Sequence, residues 1–316
     1  MSSLPTTPQQ AIAGLGPRKS KFNALQSGKE RFIRYLCLAS ALISIFTTAA
    51  IIVILVGESL GFFREVGLRE FLFGTKWEPN AATPKFGVLP LLTGTLVITI
   101  GSALIAVPLG LLTAVFMSEY APKRVRNILK PALELLAGIP TVVYGYLALN
   151  LITPLLKHVI PNLRPTNALA GAIVVGIMIL PLVSSLCEDA ISSVPRGLRE
   201  GAYGLGATKL EVTTKIVVPA ALSGIMAAFI LALSRAIGET MAVTLASGST
   251  PNLTLNPAES IQTMTSYIVN TSKGDLPAHS LKFSTIFAVG VSLFVMTMLM
   301  NMLASYLVRK FRRVYG

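Results

Sequence analysis

The chain has 316 residues, 53% of them hydrophobic and only 13% charged, with a net charge of +13. Soluble domains carry about 25% charged residues, so the composition excludes an ordinary soluble fold and points to an integral membrane protein. The positive charge is spread through short segments between apolar blocks, which argues for loops beside membrane helices and against nucleic acid as a partner.

Residues 1–30 are polar, with Pro, Gln, Ser and Gly, and are expected to form a mobile tail. Six apolar blocks follow, near 33–57, 89–117, 131–156, 168–187, 220–247 and 283–308, each long enough to cross about 30 Å of hydrocarbon as a helix. The first is too long for a signal-peptide core and no A-x-A-like site follows it, so it is expected to be retained. A short basic tail over 309–316 ends the chain. With the N-terminus inside, alternate segments carry eighteen Lys and Arg on the inner side against eight on the outer. The positive-inside rule then places both termini in the cytoplasm.

The first outer loop, 58–88, carries Phe62, Phe63, Phe71, Phe73 and Trp77. Aromatics at this depth suit anchoring at the membrane–water interface, with a docking surface for an external partner as the second reading. Glu134 follows Pro131 at the start of the third block, where an acid in the first helical turn is favoured by the helix dipole. Gly138-Ile139-Pro140 is expected to kink that helix. Glu134, Pro140 and Tyr144 are candidate gating residues on this ground, and Thr141 is a candidate to line a path.

The inner stretch over 188–219 has more order than a connector needs. Pro195 suits the first turn of a short helix running to about Tyr203. Gly204-Leu205-Gly206 then breaks it. Thr208 and Glu211 form a T-x-x-E capping box that starts a second helix, and Pro219 is expected to end it. Two short helices at an angle make either a rigid knob that fits a groove on another protein or a pair lying on lipid.

The fifth block contains SRAIGETMAV, with Arg235 and Glu239 deep in the apolar run and Ser234 and Thr240 beside them. On one helix, residues four apart share a face. Charges at that depth face a bundle interior or a watery path. They are either a structural ion pair or a device in which Arg235 meets an anion while Glu239 releases it; a guanidinium stays charged and matches oxyanion geometry.

Other chemistry is missing from the sequence. There is no G-x-x-x-x-G-K-[ST] loop, so the chain is not expected to hydrolyse ATP itself. Cys37 and Cys187 lie within apolar blocks, and His158 and His279 lie far apart in connecting loops, so neither a disulfide framework nor a metal site is expected. No nucleophile–base arrangement stands out, and an enzyme is the weakest reading.

The segment from Glu200 to Pro219, EGAYGLGATKLEVTTKIVVP, resembles the EAA loop of ABC-importer permeases, E-A-A-x3-G-x9-I-x-L-P. Glu200, Ala202, Gly206, Ile216 and Pro219 match in register; Gly201 replaces the first Ala and Val218 replaces Leu. FLFGTKWEPN, GVLPLLTGTLVITIGSALIAVPLGLLTAVFMSEYAP, ELLAGIPTVVYGYLAL and LSRAIGETMAV are similar to the permeases of ATP-driven phosphate importers, the Pst system. The resemblance implies an all-α type I importer fold with six transmembrane helices, a permease domain over 31–308 and a multi-pass place in the bacterial inner membrane. It implies that 196–212, with Thr208 at its second helix, couples to a separate ATPase. It further implies a second homologous permease subunit, two ATP-binding subunits that use ATP and Mg²⁺, and an external phosphate-binding protein, with no cofactor held by this chain. Ser234, Arg235, Glu239 and Thr240 would then belong to the substrate path. Sulfate or molybdate remains an alternative cargo, and a phosphate sensor or scaffold for a signalling kinase an alternative role.

Overall fold

A computed structural model describes residues 21–274, 277 and 280–312. The protein is mainly helical. Among the described residues, five helices are each long and apolar enough to cross a membrane, and a further pair, Lys209–Ala220 and Leu222–Ile237, passes the same test only when taken together across a bend of 68°. The chain divides into two units, Met1–Ile54 and Leu55–Gly316.

The first helix, α1 (Lys21–Glu65), belongs to the first unit as far as Ile54. It begins inside the stretch expected to be tail. The nearest strong breaker, Pro17, lies upstream, and Lys21 onward is rich in good helix formers. From Lys29 to Ala49 every residue is exposed, although the helix is apolar over most of its circumference. Such a surface suits lipid rather than water.

The second unit is built on α3 (Leu89–Val115), which lies along α7 (Ala168–Ser192). Small residues permit the close approach. A Cβ added at Gly110 would stand 2.6 Å from Val183 Cγ1. A π-helical turn, Phe116–Tyr120, extends α3.

Above this pair sits a compact cap. It contains α2 (Leu68–Phe73), a hairpin of β1 (Trp77–Glu78) and β2 (Lys85–Phe86), and the later α13 (Met264–Ser272). Phe62, Phe71 and Trp77 are its core, at most 2% exposed. Trp77 meets Tyr267 edge to face at 4.9 Å. The Met264 N–H donates to Thr95 Oγ1 on α3. Those aromatics therefore pack a protein interior instead of anchoring in lipid; Phe73 alone of the five is largely exposed.

The third apolar block divides. α4 (Lys123–Ala137) is amphipathic and contributes no buried residue. Gly138–Pro140 interrupts the chain, because Pro140 cannot accept a continuing helix and biases Ile139 to extended backbone. The span itself starts at Thr141 and runs through α5 (Thr141–Leu147), a π turn (Ala148–Ile152) and α6 (Thr153–Val159). The expected span from 131 is thus displaced. Glu134 lies in the last turn of α4, where its carbonyl accepts from the Gly138 N–H. The helix-dipole stabilisation expected for it is reversed in sign.

After α7 come α8 (Arg196–Gly204), α9 (Lys209–Val212), a π turn (Thr213–Val217) and α10 (Val218–Ala220). Pro195 is the N-cap of α8, one position before the first turn. Gly206 takes φ +80, which favours glycine and turns the chain between the helices. Pro219 does not end the second helix. The π turn carries the chain past it, with the Val218 N–H reaching back to Thr213 O, and the bend falls at Ala221.

The fifth span is α11 (Leu222–Ile237), followed by a break at Gly238–Thr240 and then α12 (Met241–Ser247). The final helix, α14 (Leu281–Arg312), packs against α11 and α13.

Candidate functional site

Three constellations stand out, two of them built on residues expected to carry function. The first surrounds Arg235, on the last turn of α11. Arg235 lines a cavity of ≈ 200 Å³ together with Lys130 and Glu134 of α4, Met178 and Ser185 of α7, and Met117. Glu239 is not its partner. The break at Gly238 removes the shared helical face, and Glu239, 8% exposed, accepts from the Ala242 N–H at 3.2 Å through Oε1. Its carbonyl accepts from Thr265 Oγ1 at 2.8 Å. Glu239, one residue before the N-cap Thr240, therefore satisfies a first-turn N–H of α12 and ties it to the start of α13. Ser234 points to α14, donating to Asn301 Oδ1 at 2.8 Å, and Thr240 Oγ1 donates to Gly238 O. Of the four expected path residues, only Arg235 lines this cavity; Glu134, expected at a gate, is beside it instead.

The expected gate is a joint between α4 and α5. Pro140 is the N-cap of α5. Tyr144 is buried, and its hydroxyl donates across the break to Leu136 O at 2.8 Å.

The second constellation was missed by the sequence reading. Glu188, in the last turns of α7, is fully buried. Its Oε1 accepts from Arg126 and from Ser192 Oγ, and its Oε2 from Lys130 Nζ at 3.0 Å. Lys130 also stands 3.6 Å from Asp189. Hydrogen bonding to Glu188 holds the Lys130 ammonium above its ordinary pKa. A buried carboxylate persists only when it is paired and hydrogen-bonded, and here two cations from α4 do it. The usable signal was Arg126-x3-Lys130, an i,i+4 cation pair on an amphipathic helix, with an acid closing an apolar block.

The third constellation is the knob of α8 and α9. Glu200 is exposed on α8, Ala202 is buried beneath it, and Ile216 is half-buried in the π turn. Thr208 and Glu211 make both hydrogen bonds of the capping box. Leu205, at the tip, is 90% exposed, and Leu198 and Leu210 are also exposed. Apolar side chains held out on a rigid turn suit docking on another protein. Arg199 anchors the knob: it donates to Glu119 Oε1 at 3.0 and 3.2 Å and to Ile191 O at 2.8 Å, and also to Val194 O. Arg199 and Glu119 are 16% and 7% exposed, so the pair is largely shielded.

Comparison with known proteins places the chain in a family. Residues 106–313 match the family described as "Binding-protein-dependent transport system inner membrane component". The chain is 40% identical to the "Probable ABC transporter permease protein YqgH" of Bacillus subtilis, over 87% of this chain and 89% of that protein. It is 35% identical to the "Phosphate transport system permease protein PstC" of Mesorhizobium japonicum, over 91% and 95%. Among solved structures, a bacterial alginate ABC transporter in complex with its alginate pentasaccharide-bound periplasmic protein superimposes with a TM-score of 0.62 at 19% identity, over 90% of this chain and 96% of that one.

Proposed function

Since the chain belongs to the family of binding-protein-dependent transport system inner membrane components, we propose that it is a permease subunit of an ATP-driven importer of inorganic phosphate. The observation that carries the cargo is the 35% identity, across nearly the whole of both chains, to a phosphate transport system permease. The partners this reading requires are a second homologous permease, two ATP-binding subunits that consume ATP with Mg²⁺, and an external phosphate-binding protein. The chain itself binds no nucleotide. Both termini face the cytoplasm of the inner membrane, in keeping with eighteen inner against eight outer cations.

In this reading α8 and α9 are the coupling device. Closure of the ATPase pair pushes on the knob at 196–212. Arg199 passes the displacement to the end of α7 through Ile191 O and to the turn after α3 through Glu119. α3 and α7 are the tightly packed pair beside the Arg235 cavity, which supports reading them as the driven elements. The switch is a movement between two packed arrangements, biased by nucleotide on the partner. Arg235 supplies a permanent cation to the anion on its way through.

Uptake of labelled phosphate at low external phosphate tests the reading, in cells with and without this chain. Uptake is expected to collapse without it and to return with the intact chain. Unchanged phosphate uptake overturns the phosphate assignment, and labelled sulfate and molybdate then decide between another oxyanion and a sensor role.

A further inference from the structure

The cavity beside Arg235 holds charges that an ordinary anion site would not. Arg235 and Lys130 supply two cations, and Ser185 a hydroxyl. Lys130 is steadied from behind by Glu188, whose other oxygen is taken by Arg126 and Ser192. Glu134 then adds a carboxylate to the same wall. Neither the Arg235 nor the Glu134 side chain makes a hydrogen bond or ion pair among the described residues, and both residues are exposed. Two unpaired groups of opposite sign thus face one small space without meeting each other.

A bare oxyanion is poorly served there. Sulfate and molybdate carry no proton near neutral pH, and an oxygen turned toward Glu134 meets like charge with nothing to donate. Phosphate keeps at least one proton over the same range. Its P–O–H group donates to a carboxylate while its remaining oxygens accept from guanidinium, ammonium and hydroxyl. A carboxylate that accepts from a substrate hydroxyl disfavours an analogue lacking that proton, since the two like charges repel. The size also fits. At ≈ 200 Å³ the cavity has room for one tetrahedral anion and part of its shell.

We propose that the cavity lined by Lys130, Glu134, Ser185 and Arg235 is a station for a tetrahedral oxyanion that still carries a proton, and that Glu134 is the residue that selects phosphate against sulfate there. The proposal rests on the reading of the chain as a phosphate permease. Glu134 acts by accepting the proton-bearing oxygen, Arg235 and Lys130 by balancing the charge, and Ser185 by donating to one further oxygen.

The test is equilibrium binding of labelled inorganic phosphate and labelled sulfate to the assembled membrane complex, purified with its partner chains but without the external binding protein. The intact complex is expected to prefer phosphate by about tenfold or more, and Glu134→Gln to lose that preference while Lys130→Met weakens both anions. Retention of the full preference in Glu134→Gln overturns the proposal, as does equal binding, or no binding, of the two anions by the intact complex. If the Glu134→Gln chain fails to assemble, Glu134→Ala is read in its place, and retention of the full phosphate preference there overturns the role given to Glu134. Cells carrying the intact chain separate the two levels. Failure to import phosphate sinks the permease reading, whereas import by the intact chain with an unaltered Glu134→Gln preference sinks only the role given to Glu134.

Discussion

Arg199, on the first helix of the knob, reaches back to Glu119 in the π turn after α3, eighty residues away in sequence, with two nitrogens on one carboxylate oxygen at 3.0 and 3.2 Å. The same guanidinium also donates to the Ile191 carbonyl in the last turn of α7 and to the Val194 carbonyl just past its end. A helix that would otherwise stand off the bundle on a flexible turn is therefore fastened to both members of its central pair. Arg199→Ala leaves Glu119 shielded and uncompensated. Removing one partner of such a pair costs about 3 kcal/mol, so thermal unfolding in detergent should occur several degrees lower. Transport should fall further than stability, because the knob loses its grip on α3 and α7. Glu119→Gln in the Arg199→Ala background should recover part of the stability, the result a double-mutant cycle reads as direct coupling.

Glu188 governs the second joint, between α4 and α7. Arg126 and Lys130 are each partly solvated, at 39% and 37% side-chain exposure, whereas Glu188 is not exposed at all. Taking away both cations should hence be far worse than taking away either. The Arg126→Ala, Lys130→Ala double variant strands a buried carboxylate and should cost about 3–5 kcal/mol. Each single variant leaves one partner in place and should cost clearly less. The pH behaviour follows from Lys130, whose ammonium is held above its ordinary pKa by Glu188. A raised lysine contributes stability below its unfolded value of 10.5 and loses it as pH rises past the folded value. The pair should therefore add nothing to the pH dependence of unfolding between pH 7 and 9. Its loss should show only above 10.5, and should vanish from the profile in Lys130→Met.

Gly110 sets the distance between α3 and α7. A Cβ there would stand 2.6 Å from Val183 Cγ1 and 2.8 Å from Val183 Cβ, with a backbone nitrogen 3.4 Å away. The branched valine has no flexible end to move aside. Gly110→Ala should cost about 1–3 kcal/mol as overpacking, despite the higher helix propensity of alanine. Pairing it with Val183→Ala should restore much of the loss. Unfolding midpoints of the three variants check this.

Much of the architecture was legible because it is written in local pattern. Long apolar blocks marked the spans, and Thr208 with Glu211 announced a helix start that both capping hydrogen bonds realise. The breaks were less legible. Gly138–Pro140 and Gly238 were visible as residues, but whether such a site kinks a helix or divides it depends on what the two halves pack against. Tyr144 binding Leu136 O across the first break, and Glu239 accepting from the Ala242 N–H at the second, are tertiary facts. Phe62, Phe71 and Trp77 read as interfacial because composition cannot distinguish a residue facing lipid from one facing Tyr267. Glu188 was hidden for the same reason: its partners lie 62 and 58 residues upstream.

The separation of Arg235 from Glu239 decides how that pair should be tested. Had they shared a helical face, Glu239 would shield Arg235 at rest, and neutralising both would be milder than neutralising Arg235 alone. The break at Gly238 and the hydrogen bond from the Ala242 N–H to Glu239 remove the premise. Glu239→Gln keeps an oxygen for that N–H and should cost at most about 1 kcal/mol of stability, as a weakened hydrogen bond does. Arg235→Lys keeps the charge but loses the planar fork, and should lower phosphate import severalfold while the complex still assembles. The double variant Arg235→Lys, Glu239→Gln should then show import lowered by the product of the two single effects, with no rescue. Additivity is the expectation for residues that share no partner. Rescue in the double variant would instead mean that the two charges meet at some stage of transport, across a break that would have to reform as one continuous helix.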